Sequence, residues 1–106
     1  MQSKQASVII SIKNITTSTI SNEDGVKLKI AIENYLNDDN PVVLSFTGID
    51  TISSSFLNSS LGEIIDKFGP QSLKNKIKII NYTPNIGNII SKYIRDFLMQ
   101  EEHGQN

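Results

Sequence analysis

Apolar side chains along the chain fall in short runs, separated by longer segments in which they recur every three or four residues. Short apolar or β-branched runs are typical of strands, and a three-to-four spacing is typical of amphipathic helices. Strands are predicted at residues 6–12, 16–20, 42–46 and 76–81. The prediction for residues 16–20 rests on their β-branched composition alone. Helices are predicted at three places: residues 22–37, 54–68 and 84–98.

Local signals support the ends of the predicted helices. Ser21 or Asn22 can cap the first helix, Gly69-Pro70 can end the second, and Pro84 suits the first turn of the third. The side chains that we expect to face the core are, helix by helix, Leu28, Ala31, Ile32, Tyr35 and Leu36; Leu57, Leu61, Ile64, Ile65 and Phe68; and Ile86, Ile89, Ile90, Tyr93, Ile94 and Phe97.

The order of the predicted elements indicates the fold class. Strand and helix alternate with short connections, which favours right-handed βαβ units and parallel strands. We therefore predict a single α/β domain with a mixed, mostly parallel sheet of about four strands packed with about three helices. The domain is expected to span residues 7–99, between a flexible N-terminus (1–6) and a flexible C-terminal tail (100–106). In the last strand, lysines alternate with isoleucines, so we expect one wet face or an edge position.

Composition excludes several classes of function. The 106 residues suffice for one core, and ten basic against eleven acidic residues give a net charge of −1, which does not favour direct binding of nucleic acid or anionic lipid. The absence of cysteine excludes thiolate chemistry, and the single histidine, His103, lies in the polar tail. No apolar run approaches the ~20 residues that span a bilayer. We expect a cytoplasmic protein without a metal, a cofactor or a membrane anchor.

The connection between the third predicted strand and the second helix is the first candidate site. In open α/β sheets, ligands bind where the carboxyl ends of strands meet the starts of helices. Asp50 lies in this connection, and Ser53, Ser54 and Ser55 follow it at the predicted helix start, where an anion or a phosphoserine is favoured. The alternative is that a serine only caps the helix.

A second strand-to-helix connection carries Asn81 and Thr83, and it could join the serines in one surface. The alternative is that both side chains satisfy turn and cap hydrogen bonds. The chain has no phosphate loop and no nucleophile elbow, and Glu63 and Asp66 are interpreted as solvated. We therefore predict no catalytic residues.

Residues 42–57, which read Val-Val-Leu-Ser-Phe-Thr-Gly-Ile-Asp-Thr-Ile-Ser-Ser-Ser-Phe-Leu, carry a resemblance to a known family. Together with the lysine-rich strand ending in Asn81, they resemble the STAS-like domain family of unknown function. That family is related to the STAS domains of anti-sigma-factor antagonists. The resemblance covers about residues 7–98 as a shared order of elements.

In the antagonists the matching pattern is Asp-Ser-Ser-Gly-Leu, and a partner ATPase-like kinase phosphorylates its first serine. The resemblance places that serine on Ser54 and the next on Ser55, while Ser53 replaces the aspartate and Phe56 replaces the glycine. Three polar positions that many members share also differ here, because an arginine and an Asp-Glu pair are replaced by Asn22, Asn58 and Ser59.

The resemblance implies a non-enzymatic regulatory module, switched by phosphorylation at Ser54 or Ser55 and bound by a histidine-kinase-like ATPase or a transcription regulator. Phe56 is either an exposed anchor for that partner or a buried residue that fixes the helix start. The residues predicted to bind the partner are Asp50, Ser53, Ser54, Phe56, Asn58, Asn81 and Thr83. The alternative function is a self-associating structural subunit, such as a homodimer, held by the lysine-bearing strand edge or by the last helix.

Overall fold

A computed structural model describes residues 7–103 of the chain, with side chains described for residues 7–100. The three strands are β1 (Val8–Ser11), β2 (Val42–Ser45) and β3 (Ile77–Ile80). Four separate helices are α1 (Ile12–Ile15), α2 (Asn22–Asn37), α5 (Ser72–Asn75) and α6 (Pro84–His103). A fifth, here called the central helix, runs without a break through α3 (Ser54–Leu57), a π-helical turn (Asn58–Gly62) and α4 (Glu63–Phe68).

The sheet has the order β1-β2-β3, and both of its strand pairs are parallel. Val8, Val42 and Ile77 lie side by side in register. The α/β class with parallel strands is therefore confirmed, while the predicted count of about four strands and three helices is wrong in detail. For the lysine-bearing strand the sequence predicted either a wet face or an edge position, and the edge position is confirmed, because within residues 7–103 β3 pairs with a strand on one side only.

The segment predicted as a fourth strand, residues 16–20, forms no ladder. Two of its three threonines are buried: the Thr16 hydroxyl donates to the Asp24 carboxylate at 2.7 Å, and the Thr19 hydroxyl donates to the Thr51 carbonyl. β-Branched composition therefore reflects buried hydroxyl contacts here and not strand pairing. The two additional helices, α1 and α5, are single turns of four residues, too short for a periodic pattern to indicate.

The core lies between one face of the sheet and the three long helices. Ile10 and Leu44 from the sheet join Ile32, Leu61 and Ile86 from the helices in one apolar cluster. The opposite face of the sheet points away from the helices, since Ile9 on that face is 69% exposed. The expected helix stripes are buried or partly buried, with one exception.

That exception is Tyr35, which is exposed, so its predicted place in the core is wrong. Leu28, Ile32 and Leu36 are spaced four residues apart and form the buried side of α2. Tyr35 precedes Leu36 by one residue, so its side chain points about 100° away around the helix. Helix α6 continues five residues beyond its predicted end to His103. Residues 1–6, predicted as a flexible N-terminus, and 104–106 of the predicted tail lie outside the described residues.

Candidate functional site

The three consecutive serines at the start of the central helix have different roles. Ser53 is the N-cap: its Oγ accepts a hydrogen bond from the Phe56 amide at 3.0 Å and donates to the Ile20 carbonyl. Ser54 and Ser55 occupy the first turn, and both are exposed. The capping alternative therefore holds for Ser53 alone, and two hydroxyls remain on the surface at the positive end of a long helix.

The central helix widens into a π-helical turn just after those serines. Within it, the Ser59 Oγ donates to the Ser55 carbonyl at 2.9 Å, and the fully buried Ser60 Oγ donates to the Phe56 carbonyl at 2.7 Å. Hydroxyl groups that bond back to the preceding turn bend a helix and compete with its own ladder. Single π-helical turns within helices occur frequently at functional sites.

Helix α2 closes one side of this turn, which we call the sealed side. The contact is at Gly25, where a Cβ atom would lie 1.9 Å from the Ser59 Oγ and 2.7 Å from the Phe56 carbonyl oxygen. Only glycine permits this approach, because a backbone oxygen cannot move aside as a flexible side chain can. The two helices therefore touch almost backbone to backbone.

Helix α6 lies along the other side, which we call the open side, and leaves a groove of about 560 Å³. One wall carries Ser54 and Asn58, and the opposite wall carries Lys92, Tyr93 and Asp96. Lys92 and Asp96 form an ion pair at 2.7 Å, and the hydrogen bond from Lys92 lowers the pKa of the Asp96 carboxyl. The groove thus combines polar and charged groups with an apolar floor, and one of the exposed serines stands at its edge.

Tyr93 bridges the groove at its base. Its hydroxyl donates to the Asn58 Oδ1 at 2.6 Å, and it lies so close to Gly62 that a Cβ there would be 2.5 Å from the Tyr93 oxygen. Burial raises the pKa of Tyr93 to about 12, with smaller contributions from the carboxylates of Asp66 and Glu63. The phenol is therefore held neutral, as a hydrogen-bond donor that fastens α6 to the π-helical turn.

Phe56 does not present its ring to a partner, because the side chain is fully buried in the core. Of the two alternatives from the sequence, the exposed anchor is wrong. The residue faces inward because it is the third of the helix, on the side that packs toward the core.

The remaining candidate residues are distributed over three places. Asn58 lines the groove, while Asp50 is exposed in a separate cleft beside Lys13. Asn81 has φ 59° and donates to the Ser45 Oγ at 3.1 Å, and the Thr83 Oγ accepts from the Ile86 amide at 3.1 Å. Asn81 and Thr83 therefore have the turn and cap roles of the alternative interpretation, and neither lines the groove.

Sequence reasoning missed the roles of two residues that line the groove, Tyr93 and Lys92, and of Gly62, which lies against the Tyr93 hydroxyl. Tyr93 was assigned only to the apolar stripe, although its hydroxyl requires a partner when the ring is buried. Gly62 interrupts a helical pattern, a signal that often marks close packing. Lys92 carries no sequence signal, since only the course of α6 brings it opposite Ser54.

The protein is thus a small α/β domain with helices packed on a three-stranded sheet. Its main groove lies beside the central helix, which follows the middle strand β2. A family described as the STAS-like domain of unknown function matches residues 24–87, more than half of the chain. The chain therefore belongs to this STAS-like family. No curated protein and no solved structure has significant similarity to it.

The matched residues extend from the first turn of α2 to the first turn of α6. They include the whole central helix, with Ser54, and the Gly25 contact of the sealed side. Across residues 7–103, no helix has the length and apolar character needed to cross a bilayer. Among residues 7–100, whose side chains the structure describes, no group of histidine and carboxylate side chains is placed to hold a metal ion.

Proposed function

We propose that this chain is a non-enzymatic regulatory module that binds a partner protein through the open side of its central helix. The observation that carries the proposal is the position of Ser54, an exposed hydroxyl in the first turn of that helix and on the edge of the groove. Ser53 is occupied as the cap, so Ser54 is the first serine whose side chain a partner can reach.

Phosphorylation of Ser54 would act as the switch. A phosphate adds a charge of about −1.5 to −2 and three strong acceptor oxygens. At Ser54 this charge would meet the positive end of the helix and share the groove with Lys92, whose present partner is Asp96. The phosphate would compete for that lysine and change both the charge and the shape of the surface.

The family resemblance supports the class of partner. Antagonists with related domains are phosphorylated by histidine-kinase-like ATPases, and the corresponding serine falls on Ser54. We therefore propose an ATPase of this class, or a transcription regulator that it controls, as the protein that docks on the groove. The interface would use apolar area from the groove floor and polar contacts from Ser54 and Asn58.

Ser55 provides a matched control for the test. It is the next residue and equally a serine in the first turn, it is exposed, and it does not line the groove. Tagged wild-type chain, Ser54→Asp and Ser55→Asp would be expressed in the source cells and captured, with mass spectrometry of the partners and of the peptide containing both serines. We expect wild type and Ser55→Asp to recover a histidine-kinase-like ATPase or a transcription regulator, and Ser54→Asp to recover it about tenfold less or not at all.

Two results would contradict the proposal. Equal recovery of the partner by the two aspartate variants would show that the groove edge is not the contact. Recovery of the tagged chain alone, with Ser54 unmodified, would remove both the partner and the switch.

A further inference from the structure

Strand β3 has a free edge on the side away from β2. The Lys76 and Ile80 carbonyls accept amide hydrogen bonds from β2 and the residue after it, at 2.7 and 3.0 Å, so every second residue of β3 turns its backbone groups toward β2. Ile77 and Ile79 therefore point their N–H and C=O groups the other way, where no strand of residues 7–103 pairs with them. An extended chain is the partner that matches two donors and two acceptors at strand spacing.

A cleft of about 430 Å³ adjoins this edge on the side of the helices. Ile79 lines it from β3, and Ile90 and Ile94 line it from α6. Ile79 lies in register with Leu44, which is 0% exposed, yet Ile79 itself is only partly buried. The helix-facing side of β3 is therefore incompletely covered, and the cleft has room for an apolar side chain. It shares no lining residue with the groove that holds Ser54.

The opposite side of β3 carries an unpaired positive charge. Lys78 lies in register with Val43 on the uncovered face of the sheet, and it is exposed. The nearest lysine on that face, Lys76, pairs with Asp39, while no carboxylate of residues 7–100 pairs with Lys78. A strand added beside β3 would thus meet apolar side chains on one face and a cation on the other.

We propose that the free edge of β3 binds an extended acidic peptide of a partner protein, which adds to the sheet as a fourth strand. Peptides that add to a sheet edge gain affinity from main-chain hydrogen bonds and specificity from pockets for alternate side chains. Successive side chains of a strand point to opposite faces. The peptide therefore needs an apolar residue level with Ile79, toward the cleft, and an acidic residue next to it, level with Lys78. This site does not depend on the proposed phosphorylation at Ser54.

A second copy of this chain fits the same edge poorly. In an antiparallel pair that uses Ile77 and Ile79 of both copies, Lys78 of one copy lies directly opposite Lys78 of the other. Like charges in that position destabilise a strand pair. The lysine therefore opposes pairing between copies and favours a strand that brings a carboxylate.

The probe is the capped, fluorescently labelled peptide Val-Glu-Val-Glu-Val, tested by anisotropy with the complete chain. Val-Lys-Val-Lys-Val controls for its charge, and Ser-Glu-Ser-Glu-Ser controls for its apolar side chains. We expect the probe to bind with a dissociation constant below about 1 mM and each control at least about fivefold more weakly.

Charge reversal tests the role of Lys78. We expect Lys78→Glu to bind the glutamate peptide at least about fivefold more weakly than wild type and to bind the lysine peptide more tightly. Lys13→Glu is the matched control, because Lys13 is an exposed lysine directly after β1, the strand at the opposite edge of the sheet. That variant should bind both peptides as wild type does.

Amide hydrogen exchange, measured by NMR, locates the peptide. Ile9 of β1 is the matched control at the other edge, since its neighbour Val8 donates to the Pro41 carbonyl at 2.9 Å and the Ile9 amide points away from β2. With the probe near saturation, we expect the Ile77 and Ile79 amides to exchange at least about fivefold more slowly and the Ile9 amide to be unchanged.

Three results would overturn the proposal. The first is absence of binding by the glutamate peptide up to about 1 mM. The second is equal binding of the glutamate and lysine peptides by wild type. The third is slowing of the Ile9 amide equal to that of Ile79, which would indicate unspecific addition of strands to either edge.

Discussion

The two sides of the central helix differ in how closely a neighbouring helix approaches. On the sealed side, α2 reaches the π-helical turn through Gly25, with no room for a Cβ atom. On the open side, α6 passes the same turn with a groove of about 560 Å³ between them, bridged by the hydrogen bond from Tyr93 to Asn58. One helix therefore has a tightly packed face and a spacious face at the same residues.

This difference in packing shows which side of the central helix is needed to hold the fold together and which side is available to bind another molecule. On the sealed side, the hydroxyl groups make their hydrogen bonds within the fold: Ser59 and Ser60 both donate to backbone carbonyls of the preceding turn. On the open side, an exposed serine, an exposed ion pair and a partly buried phenylalanine share a concave surface. Concave surfaces with a few polar groups are where proteins usually bind other molecules.

The largest effect is expected on the sealed side, from Gly25→Ala. The new methyl group would meet the Ser59 hydroxyl at 1.9 Å and the Phe56 carbonyl at 2.7 Å, so α2 must move away from the turn. Overpacking of this kind costs more than the gain in helix propensity, and we expect a loss of about 2–3 kcal/mol in the free energy of unfolding. Urea denaturation monitored by circular dichroism measures it.

Gly87→Ala is the matched control for that variant, because it is also a glycine in a helix. Its methyl group would meet the ring of Tyr82 at 2.8 Å, and Tyr82 is 49% exposed and can turn into solvent. We expect no loss, and a gain of up to about 1 kcal/mol from helix propensity. If Gly25→Ala were as stable as Gly87→Ala, the distinction between a sealed and an open side would be wrong.

A smaller effect is expected on the open side, from Tyr93→Phe. The substitution removes the hydrogen bond to Asn58 and leaves the ring in place, so we expect a loss of about 0.5–1.5 kcal/mol. The same denaturation experiment applies. A loss equal to that of Gly25→Ala would mean that α6 is fastened as firmly as α2, contrary to the comparison.

The smallest effect concerns alkaline pH. The pKa of Tyr93 is raised from 10.0 in the unfolded chain to about 12 in the folded one, so the folded state favours the neutral phenol. The unfolded state then loses this proton first, and the stability that Tyr93 contributes is complete below pH 10 and declines as the pH rises toward 12. The stability of wild type should fall more steeply over this range than that of Tyr93→Phe. Parallel curves would show that Tyr93 titrates normally.

The parts of the fold that could be predicted are those with a long periodic pattern or a strong cap. Helix α2 begins after Ser21 and ends at Asn37, as the sequence indicates, because the cap and the Leu28–Leu36 stripe agree. The segment 16–20 could not be predicted correctly, since Thr16 and Thr19 bond to Asp24 and Thr51 in contacts that depend on the tertiary fold. Single-turn helices such as α1 carry too little pattern to be distinguished from a turn.

The candidate site could be predicted on one wall only. The position of Ser54 at a helix start is a local property, and the sequence indicates it. The opposite wall, with Lys92 and Tyr93, depends on how α6 crosses the π-helical turn, and that crossing is a property of the tertiary fold. Phe56 illustrates the same limit, because its residue type suits both an exposed anchor and a core position, and only the packing distinguishes them.

The most direct test of the central claim, that the partner docks on the open side, is site-specific photo-crosslinking in the source cells. A photoreactive amino acid would replace Gln100, exposed on the α6 wall of the groove, in one version of the chain and Asn34, exposed on α2, in another, so that Ser54 stays intact in both. The account predicts a crosslink to the ATPase or regulator from position 100 and none from position 34. A crosslink to that partner from position 34 alone, or with equal yield from both, would contradict it.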